Sequence, residues 1–417
     1  MSSRLSHSVH DTRGSLCEVA AGPYTIPVST MCGGQGMHIS ALRSPVVVAL
    51  LATLAITVPV AAAASPVAPA HKGTYSANIE YDPTGYGTYN KSALTNPNID
   101  AVDINLNWYL VEPQRGVFNF APADQQVAAW VRHGKKVTLE LRFQHETNAP
   151  SGTCSNDGWL PSWEAASIPT LCERRDAAGF IIPDYFDPTF QADWRTYVAT
   201  VATHYADSPY KNDVTYARVA LGLGAESFPL EPCYNPVVQG CNVAAYQAAV
   251  QQLQTWGYTA SSWLSWQEDQ LSYYESEFAY TTVIYPINQM LYPTSNPLNV
   301  NPATGNPIEM DVAYWAAAHG IGIGQQGLDG IYTKDYAKFN EIAAYVYRHY
   351  PKTYIQFQTV AEVSNKGTSA CSAACLFQQD VRAAEHYHAR SIEWYSADDV
   401  NPSFQPYLAR WQLFVNK

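Results

Sequence analysis

Residues Tyr216–Ser227 read YARVALGLGAES, an apolar run that passes two glycines and then delivers Glu226. A short apolar run of this kind is typical of a strand buried in a parallel sheet. A second run, Thr353–Ser364 (TYIQFQTVAEVS), has the same form and delivers Glu362. Each glutamate is therefore predicted to lie at the C-terminal tip of a buried strand.

Strand-like and helix-like runs alternate outward from these two segments along most of the chain. Such alternation predicts an α/β fold, and eight strands favour a single (β/α)8 TIM barrel with elaborated βα loops. An open doubly wound sheet is the alternative, but no GxGxxG follows the first strand. The strands are predicted at Tyr75–Tyr81, Ala101–Trp108, Lys136–Phe143, Tyr216–Leu223, Tyr280–Ile287, Ile321–Gln326, Thr353–Thr359 and Ser391–Tyr395. The helices are predicted at Pro122–His133, Gln191–Ala206, Val243–Tyr274, Asp311–His319, Tyr336–Tyr350, Leu376–Ala389 and Tyr407–Val415.

An apolar run at Ser44–Ala64 follows Arg43 and ends in small residues. This layout predicts a secretory signal peptide at 37–64, opening at Met37, so we expect an extracellular protein. An uncleaved anchor is the alternative, because the run is long enough to span a bilayer. The predicted organisation is a spurious or unstructured extension at 1–36, the signal, a linker at 65–72 and a catalytic barrel at 73–417.

The cysteines beyond the signal fall into close pairs along the chain. An exported chain keeps such pairs oxidised, so their spacing predicts disulfides, although six cysteines permit fifteen connectivities. Zinc is the weaker alternative, since no CxxC pair or His-rich partner accompanies them, and we expect neither metal nor cofactor. The predicted pairs are Cys154 with Cys172, Cys233 with Cys241 and Cys371 with Cys375.

The charge balance excludes one class of partner. The chain carries 36 acidic and 24 basic residues and has a formal net charge of −12. A polyanion such as nucleic acid would be repelled, so we expect a neutral substrate. The 29 Tyr, 13 Phe and 11 Trp suit packing in a core, and some would also suit the C–H faces of sugar rings.

The two glutamates fit one reaction. Hydrolysis of a glycosidic bond needs a protonated acid at the leaving oxygen and an ionised carboxylate at the anomeric carbon. Tips of strands four and seven face each other across a barrel mouth, and a retaining pair is about 5–5.5 Å apart. Glu226 would be the acid/base and Glu362 the nucleophile. Surface or salt-bridged glutamates, or a barrel that binds glycan without cutting it, are the alternatives.

The stretch Trp108–Phe120 (WYLVEPQRGVFNF) resembles the segment after strand two of clan A glycoside hydrolases, the β-galactosidase and cellulase superfamily. The run PDYFDPTFQADWRTYVATVATHYAD and the later SIEWY resemble further segments of that superfamily, and the likeness covers Thr74–Phe414. The resemblance implies that Glu226 and Glu362 are a retaining pair and that Trp394 floors the sugar site. It departs at Ala225, where clan A acids are often preceded by an asparagine that contacts the 2-hydroxyl.

Three further side chains are expected at the substrate because of their size or charge. Arg142 ends strand three, where a cation would lower the pKa of the nucleophile; a structural ion pair is the alternative. Trp108 and Trp394 are expected to be platforms under sugar rings, with barrel plugs as the alternative.

Neutral polar residues end strands five and six and suit recognition of hydroxyl groups. Tyr285 and Asn288 end strand five, and Gln325 with Gln326 ends strand six; of this last pair, Gln325 is the predicted substrate contact. Either glutamine could instead cap a loop. Rival carboxylates, ranked lower, are Glu80, Asp82, Glu140 and Glu146.

Together these patterns predict a secreted retaining glycoside hydrolase that cleaves β-glycosidic bonds of an oligo- or polysaccharide. The sugar, the linkage, exo or endo action and the oligomeric state are left open by the sequence.

Overall fold

The computed structural model describes residues 71–77, 91–143, 160–174, 179–223, 226–230, 242–288, 300–328, 337–359 and 362–417. Its strands are β1 (Gly73–Ala77), β2 (Ala101–Asn107), β3 (Lys136–Arg142), β4 (Thr170–Arg174), β5 (Gly179–Pro183), β6 (Val214–Arg218), β7 (Thr282–Ile287), β8 (Gly322–Leu328), β9 (Ile355–Thr359) and β10 (Ser391–Tyr395).

Eight of these strands form a closed barrel in the order β1-β2-β3-β6-β7-β8-β9-β10. All their pairings are parallel, and β1 pairs with both β2 and β10, which closes the ring. The predicted (β/α)8 barrel is confirmed, and the open sheet is excluded. Strands β4 and β5 form a separate antiparallel pair outside the barrel.

Helices follow the barrel strands and cover the outside of the barrel. Within the described ranges, no helix combines the length and the apolar character needed to cross a bilayer. The helices are α1 (Lys91–Thr95), α2 (Trp108–Val111), α3 (Ala121–Arg132), α4 (Ser162–Ala165), α5 (Pro188–Asp207), α6 (Val243–Thr255), α7 (Ala260–Glu277), α8 (Ile308–Ala318), α9 (Ala337–His349), α10 (Ala373–His386), α11 (Ser396–Asp399) and α12 (Gln405–Val415).

The prediction of a single helix at Val243–Tyr274 is wrong, because the structure has two helices, α6 and α7, with a turn between them. Gly257 has a φ of +99°, which only glycine adopts without strain. Thr259 then caps α7: its hydroxyl accepts from the backbone nitrogen of Ser262 at 3.0 Å, and Ser262 Oγ accepts from the Thr259 nitrogen at 2.8 Å. This reciprocal pair starts a new helix.

Side chains alternate along each barrel strand between the lumen and the helix layer. Tyr75, Tyr216, Ile284 and Tyr354 form an apolar cluster with Ala101 at the lower end of the lumen, and the rings of Tyr75 and Tyr216 stack at 5.5 Å. The outward positions join the main hydrophobic core between strands and helices. Both faces of every barrel strand are therefore buried.

One predicted disulfide lies in the described part of the chain and is confirmed. Cys371 and Cys375 are bonded with an S–S distance of 2.05 Å and a Cα–Cα distance of 5.4 Å. The other two predicted bonds, the signal peptide at 37–64, the extension at 1–36 and most of the linker at 65–72 fall outside the described residues. They stay predictions.

Candidate active site

A tight turn after β6 displays Glu226 at the carboxyl end of the barrel. Past Arg218 the chain runs through buried residues to Leu223, and Glu226 is partly exposed. The backbone nitrogen of Leu223 donates to Phe228 O at 3.0 Å, and that of Glu226 donates to Leu223 O at 3.0 Å. A Cβ at Gly222 would lie 2.0 Å from Phe228 O, so glycine is needed here for a close approach between two backbone segments.

Helix α7 holds this turn from outside the barrel. Trp266 Nε1 donates to Leu221 O at 2.9 Å, and Trp263 Nε1 donates to Ser227 O at 3.1 Å. The two indoles lie one helical turn apart on α7 and are hydrogen-bonded to the backbone before and after Glu226. The backbone that carries the glutamate is thus supported by a packed helix.

The Glu226 carboxylate receives amide hydrogen bonds from the tips of two neighbouring strands. Asn288 Nδ2, just beyond β7, donates to Glu226 Oε2, and the Asn288 backbone nitrogen lies 3.3 Å from Ser227 Oγ. On β8, the amide nitrogen of Gln326 also faces this carboxylate, 3.2 Å from Oε1. The structure therefore brings the predicted residue Asn288 into contact with Glu226.

Glu362 follows β9 and precedes a short 3-10 turn, Val363–Asn365. It is partly exposed, and its carboxylate accepts a hydrogen bond from Asn365 Nδ2. The buried carboxylate of Asp398 accepts from the backbone nitrogens of Val363 at 2.5 Å and Ser364 at 3.0 Å. The segment after β10 thus anchors the turn that carries Glu362.

Strand direction places both glutamates at one end of the barrel. β6 and β9 are parallel members of the same closed ring, and each glutamate follows the carboxyl end of its strand. This is the face at which (β/α)8 enzymes carry their catalytic residues. Neither carboxylate is buried beneath the barrel floor.

A charged layer fills the lumen below this mouth. Arg218 is 1% exposed; its Nη1 lies 3.1 Å from Glu140 Oε2, and its Nη2 pairs with Glu393. Gln356 Nε2 also donates to Glu393 at 2.9 Å. Two buried carboxylates on opposite sides of one guanidinium hold β3, β6 and β10 in a fixed relation.

The carboxyl groups of this layer differ in proton affinity. Burial raises the pKa of Glu140, but Arg142 and Arg218 more than reverse this effect and hold it at about 2. Burial, with Glu140 and Glu393 nearby, raises the pKa of Asp103 well above its usual value. The layer therefore favours the ionised form of Glu140 and disfavours ionisation of Asp103.

Arg142 occupies the inward face at the tip of β3 and forms an ion pair with Glu140 at 2.9 Å. Its carboxylate partner in the described part of the chain is thus Glu140. The structural ion pair that the sequence left open is the one observed. Glu140, a rival carboxylate in the sequence, is buried within this layer.

Two predicted substrate contacts point away from the lumen. Tyr285 lies between inward Ile284 and Pro286, and its hydroxyl donates to Gln267 Oε1 on α7 at 2.8 Å. Gln325 is 2% exposed and pairs in register with outward Phe357, whereas the next residue, Gln326, faces Glu226. The predictions for Tyr285 and Gln325 are corrected, because strand alternation sends them into the helix layer.

The prediction of Trp394 as a sugar platform is also wrong. Glu393 points into the lumen, so its neighbour Trp394 points outward; the indole is 0% exposed and stacks on Phe377 of α10 at 3.8 Å. The inward residue at the tip of β10 is the partly exposed Tyr395. An aromatic contact at this strand would come from the tyrosine.

Trp108 is likewise a core residue, which corrects its prediction as a platform. It is 0% exposed, and its ring lies 5.4 Å from Trp194 and 5.6 Å from Tyr197. Its Nε1 donates to Glu112 Oε2 at 2.7 Å, and Glu112 Oε1 accepts from the Gly116 nitrogen at 2.7 Å. The W-x-x-x-E-P-x-x-G segment therefore has a structural role as a folded turn.

Sequence reasoning missed several inward residues near the mouth. Asn105 and Asn107 on β2 lie in register with Glu140 and Arg142, and both are buried. Counting in steps of two from a charged inward residue such as Arg218 would have found this face. The missed residues are Asn105, Asn107, Arg218 and Tyr395 on the barrel strands, and Asn365 and Asp398 beyond the strand ends.

No protein-family model and no curated protein matches this chain. Solved structures do match. The catalytic domain of beta-amylase from Paenibacillus polymyxa superposes with a TM-score of 0.55 at 12% identity, over 82% of this chain and 99% of that chain. The exo-beta-1,4-mannosidase Op5Man5 from Opitutaceae bacterium strain TAV5 gives 0.48 at 12% identity, over 83% and 60%. At this identity the likeness shows the fold alone: the chain is a (β/α)8 barrel.

Proposed function

We propose that the protein is a glycoside hydrolase that acts through Glu226 and Glu362. The observation that carries the proposal is the placement of two partly exposed carboxylates beyond β6 and β9, at one mouth of a closed barrel. Cleavage of a glycosidic bond needs two carboxyl groups, one as acid and one as nucleophile or base. The fold leaves the chemistry open, so the argument depends on this pair.

The groups around the pair suit a neutral sugar. Asn288 and Gln326 carry amides, which can donate to and accept from hydroxyl groups. Arg142 is the cation nearest the tip of β3, and its charge is balanced by Glu140. A net charge of −12 would also repel a polyanionic glycan.

In this proposal the reaction is a double displacement. Glu362 attacks the anomeric carbon while Glu226 protonates the leaving oxygen; Glu226 then takes a proton from water, which hydrolyses the glycosyl–enzyme bond. The hydrogen bond from Asn365 Nδ2 orients the Glu362 carboxylate, which supports the nucleophile role. The substrate is an extracellular oligo- or polysaccharide with β-linkages, in keeping with the predicted signal peptide.

The test begins with a screen of aryl glycosides and polysaccharides on the purified protein. On a substrate found in this way, Glu362→Gln should abolish turnover, while Glu226→Gln should retain activity only on aryl glycosides with good leaving groups. Glu385→Gln is the matched control, because Glu385 lies on α10 in a surface ion pair with Arg410. Full activity of either active-site variant on a polysaccharide would refute the assignment.

The stereochemistry of the first product tests the mechanism separately. Proton NMR of early reaction mixtures should show retention of the anomeric configuration. Inversion would refute the double displacement and leave the hydrolase assignment in place, because an inverting pair has the same two groups farther apart.

A barrel that binds glycan without cleaving it is the second candidate. It is favoured by the two amide donors on Glu226, which stabilise the ionised form rather than the protonated acid. This candidate requires retarded migration in glycan-containing native gels together with no released sugar. Turnover that depends on Glu362 would exclude it.

A further inference from the structure

A buried cation lies directly behind the residue that contacts Glu226. Arg218 is 1% exposed and remains protonated at any accessible pH. Its Nη1 is 3.1 Å from Glu140 Oε2 and also 3.1 Å from the side-chain oxygen of Gln326. A guanidinium has donors only, so whatever atom of Gln326 faces it must accept.

This contact decides the orientation of the Gln326 amide. Both ends of the amide find partners when its oxygen faces Arg218 and its nitrogen faces Glu226. The oxygen then also lies 3.1 Å from the side-chain amide of Gln358, which must turn its own nitrogen toward it. The reverse orientation would set the amide nitrogen against the guanidinium and the amide oxygen against the carboxylate. Gln326 therefore donates to Glu226, and the Glu226 oxygen that it meets must accept.

We propose that Gln326 is a positioning residue: Arg218 fixes its amide as a hydrogen-bond donor, and this donor keeps Glu226 in its ionised form in the free protein. Asn288 supplies a second donor to the same carboxylate. The link from Arg218 to Glu226 runs through Gln326.

The charged groups that face the lumen are not spread evenly over the barrel strands. β7 and β8 present neutral residues on their inward faces, including Ile284, Pro286, Gly324 and Gln326. Among the described residues, the charged groups of the other inward faces, with Glu362 after β9, are Asp103 on β2, Glu140 and Arg142 on β3, Arg218 on β6 and Glu393 on β10. The inward phenol groups are those of Tyr75, Tyr216, Tyr354 and Tyr395.

The consequence for catalysis rests on the proposed function. A general acid must carry a proton when substrate binds, so a Glu226 held ionised confines kcat/KM to acidic pH. Loss of the Gln326 donor would destabilise the ionised form and extend activity to higher pH. If Gln326 only supported the fold, its loss would change the activity but would leave the upper pH limit of kcat/KM where it is in the wild type.

Carbon-13 NMR of the protein labelled at glutamate carboxyl carbons tests the link without any substrate. Glu226→Gln identifies the resonance of Glu226 by its disappearance. In Gln326→Met, the midpoint of the Glu226 titration should rise by about one pH unit or more relative to wild type, as expected for loss of a charged hydrogen bond. Gln326→Glu should raise it further, because a second carboxylate would face Glu226.

Gln325→Met is the matched control, since the adjacent glutamine points into the helix layer. It should leave the Glu226 midpoint unchanged. Circular dichroism and thermal unfolding select variants that are folded. An unchanged midpoint in folded Gln326→Met or Gln326→Glu, or an equal rise in Gln325→Met, would overturn the proposal.

A kinetic measurement separates this proposal from the proposed function. On an aryl glycoside that the wild type hydrolyses, the basic limb of the kcat/KM profile should move upward in Gln326→Met by the shift seen in NMR. A shifted NMR midpoint in a protein that hydrolyses no glycoside would sustain the link and refute the hydrolase. An active enzyme whose basic limb does not move in Gln326→Met would refute the link from Arg218 to Glu226 and sustain the hydrolase assignment.

Discussion

The carboxylate of Asp398 accepts a hydrogen bond from the backbone nitrogen of Val363 at 2.5 Å. Asp398 lies in α11, after β10, whereas Val363 directly follows Glu362. One buried side chain therefore ties the tips of strands seven and eight of the barrel together. The position of Glu362 depends on a residue 36 positions away (398 − 362).

Asp398→Ala removes the acceptor of two backbone N–H groups and should lower stability by about 1–3 kcal/mol. If the hydrolase assignment holds, kcat should fall more than KM rises, because Glu362 loses its alignment. Urea unfolding and steady-state kinetics measure the two effects, with the exposed Asp207→Asn as control. Unchanged stability would show that the turn holds without this contact.

Arg218→Met leaves Glu140 and Glu393 buried without their shared cation, and should destabilise the fold by about 3–5 kcal/mol. Adding Glu393→Gln should recover part of this loss, since it removes one uncompensated charge. Chemical denaturation of the single and double variants gives both values. Arg132→Met, on the exposed surface of α3, is the control and should cost under about 0.5 kcal/mol.

Glu309 should make stability fall as pH rises. Burial raises its folded-state pKa to about 7 from the ordinary 4.5 of a glutamate, so between these two pH values the folded protein binds more protons than the unfolded chain. The resulting cost, on the order of 3 kcal/mol, is absent below pH 4.5 and complete above pH 7.

Glu309→Gln should therefore flatten this part of the stability profile and raise the free energy of unfolding at pH 8. Denaturation at several pH values measures the slope, and Glu341→Gln on the exposed side of α9 is the control. A slope in Glu309→Gln as steep as in wild type would assign the pH dependence to other groups.

Substitutions of Trp394 and of Tyr395 should have different effects: the first should mainly lower stability, and the second should mainly weaken glycan binding. Trp394→Ala opens a cavity beside Phe377 and should cost about 3–5 kcal/mol. Tyr395→Ala, at the partly exposed tip of β10, should have a smaller effect on stability and weaken glycan binding. Thermal unfolding and affinity electrophoresis compare them; weaker binding in a folded Trp394 variant alone would restore the original platform prediction.

Strand positions were accessible to sequence analysis because each barrel strand is a short apolar run with a polar residue after its end. The bounds of β10 were predicted as observed and those of β9 within two residues, whereas β6 ends at Arg218, five residues before its predicted end. Glu226 and Glu362 follow these strands at the carboxyl end of the barrel, as predicted. The sequence analysis predicted Gln325 and Trp394 as substrate contacts, whereas the structure turns their neighbours Gln326 and Tyr395 toward the lumen. Each pair differs only in which face of the strand it occupies.

The sequence by itself determined the alternation of strands and helices, and with it the closed barrel and the two glutamate-bearing tips. Only the tertiary structure decided which side chains enter the lumen. The physical reason is that both faces of a barrel strand are buried, so hydrophobic periodicity does not separate them. Here the lumen even holds Arg218 with Glu140 and Glu393, while the helix side receives Trp394. Charged residues are usually exposed, but in this barrel several of them lie in the buried lumen.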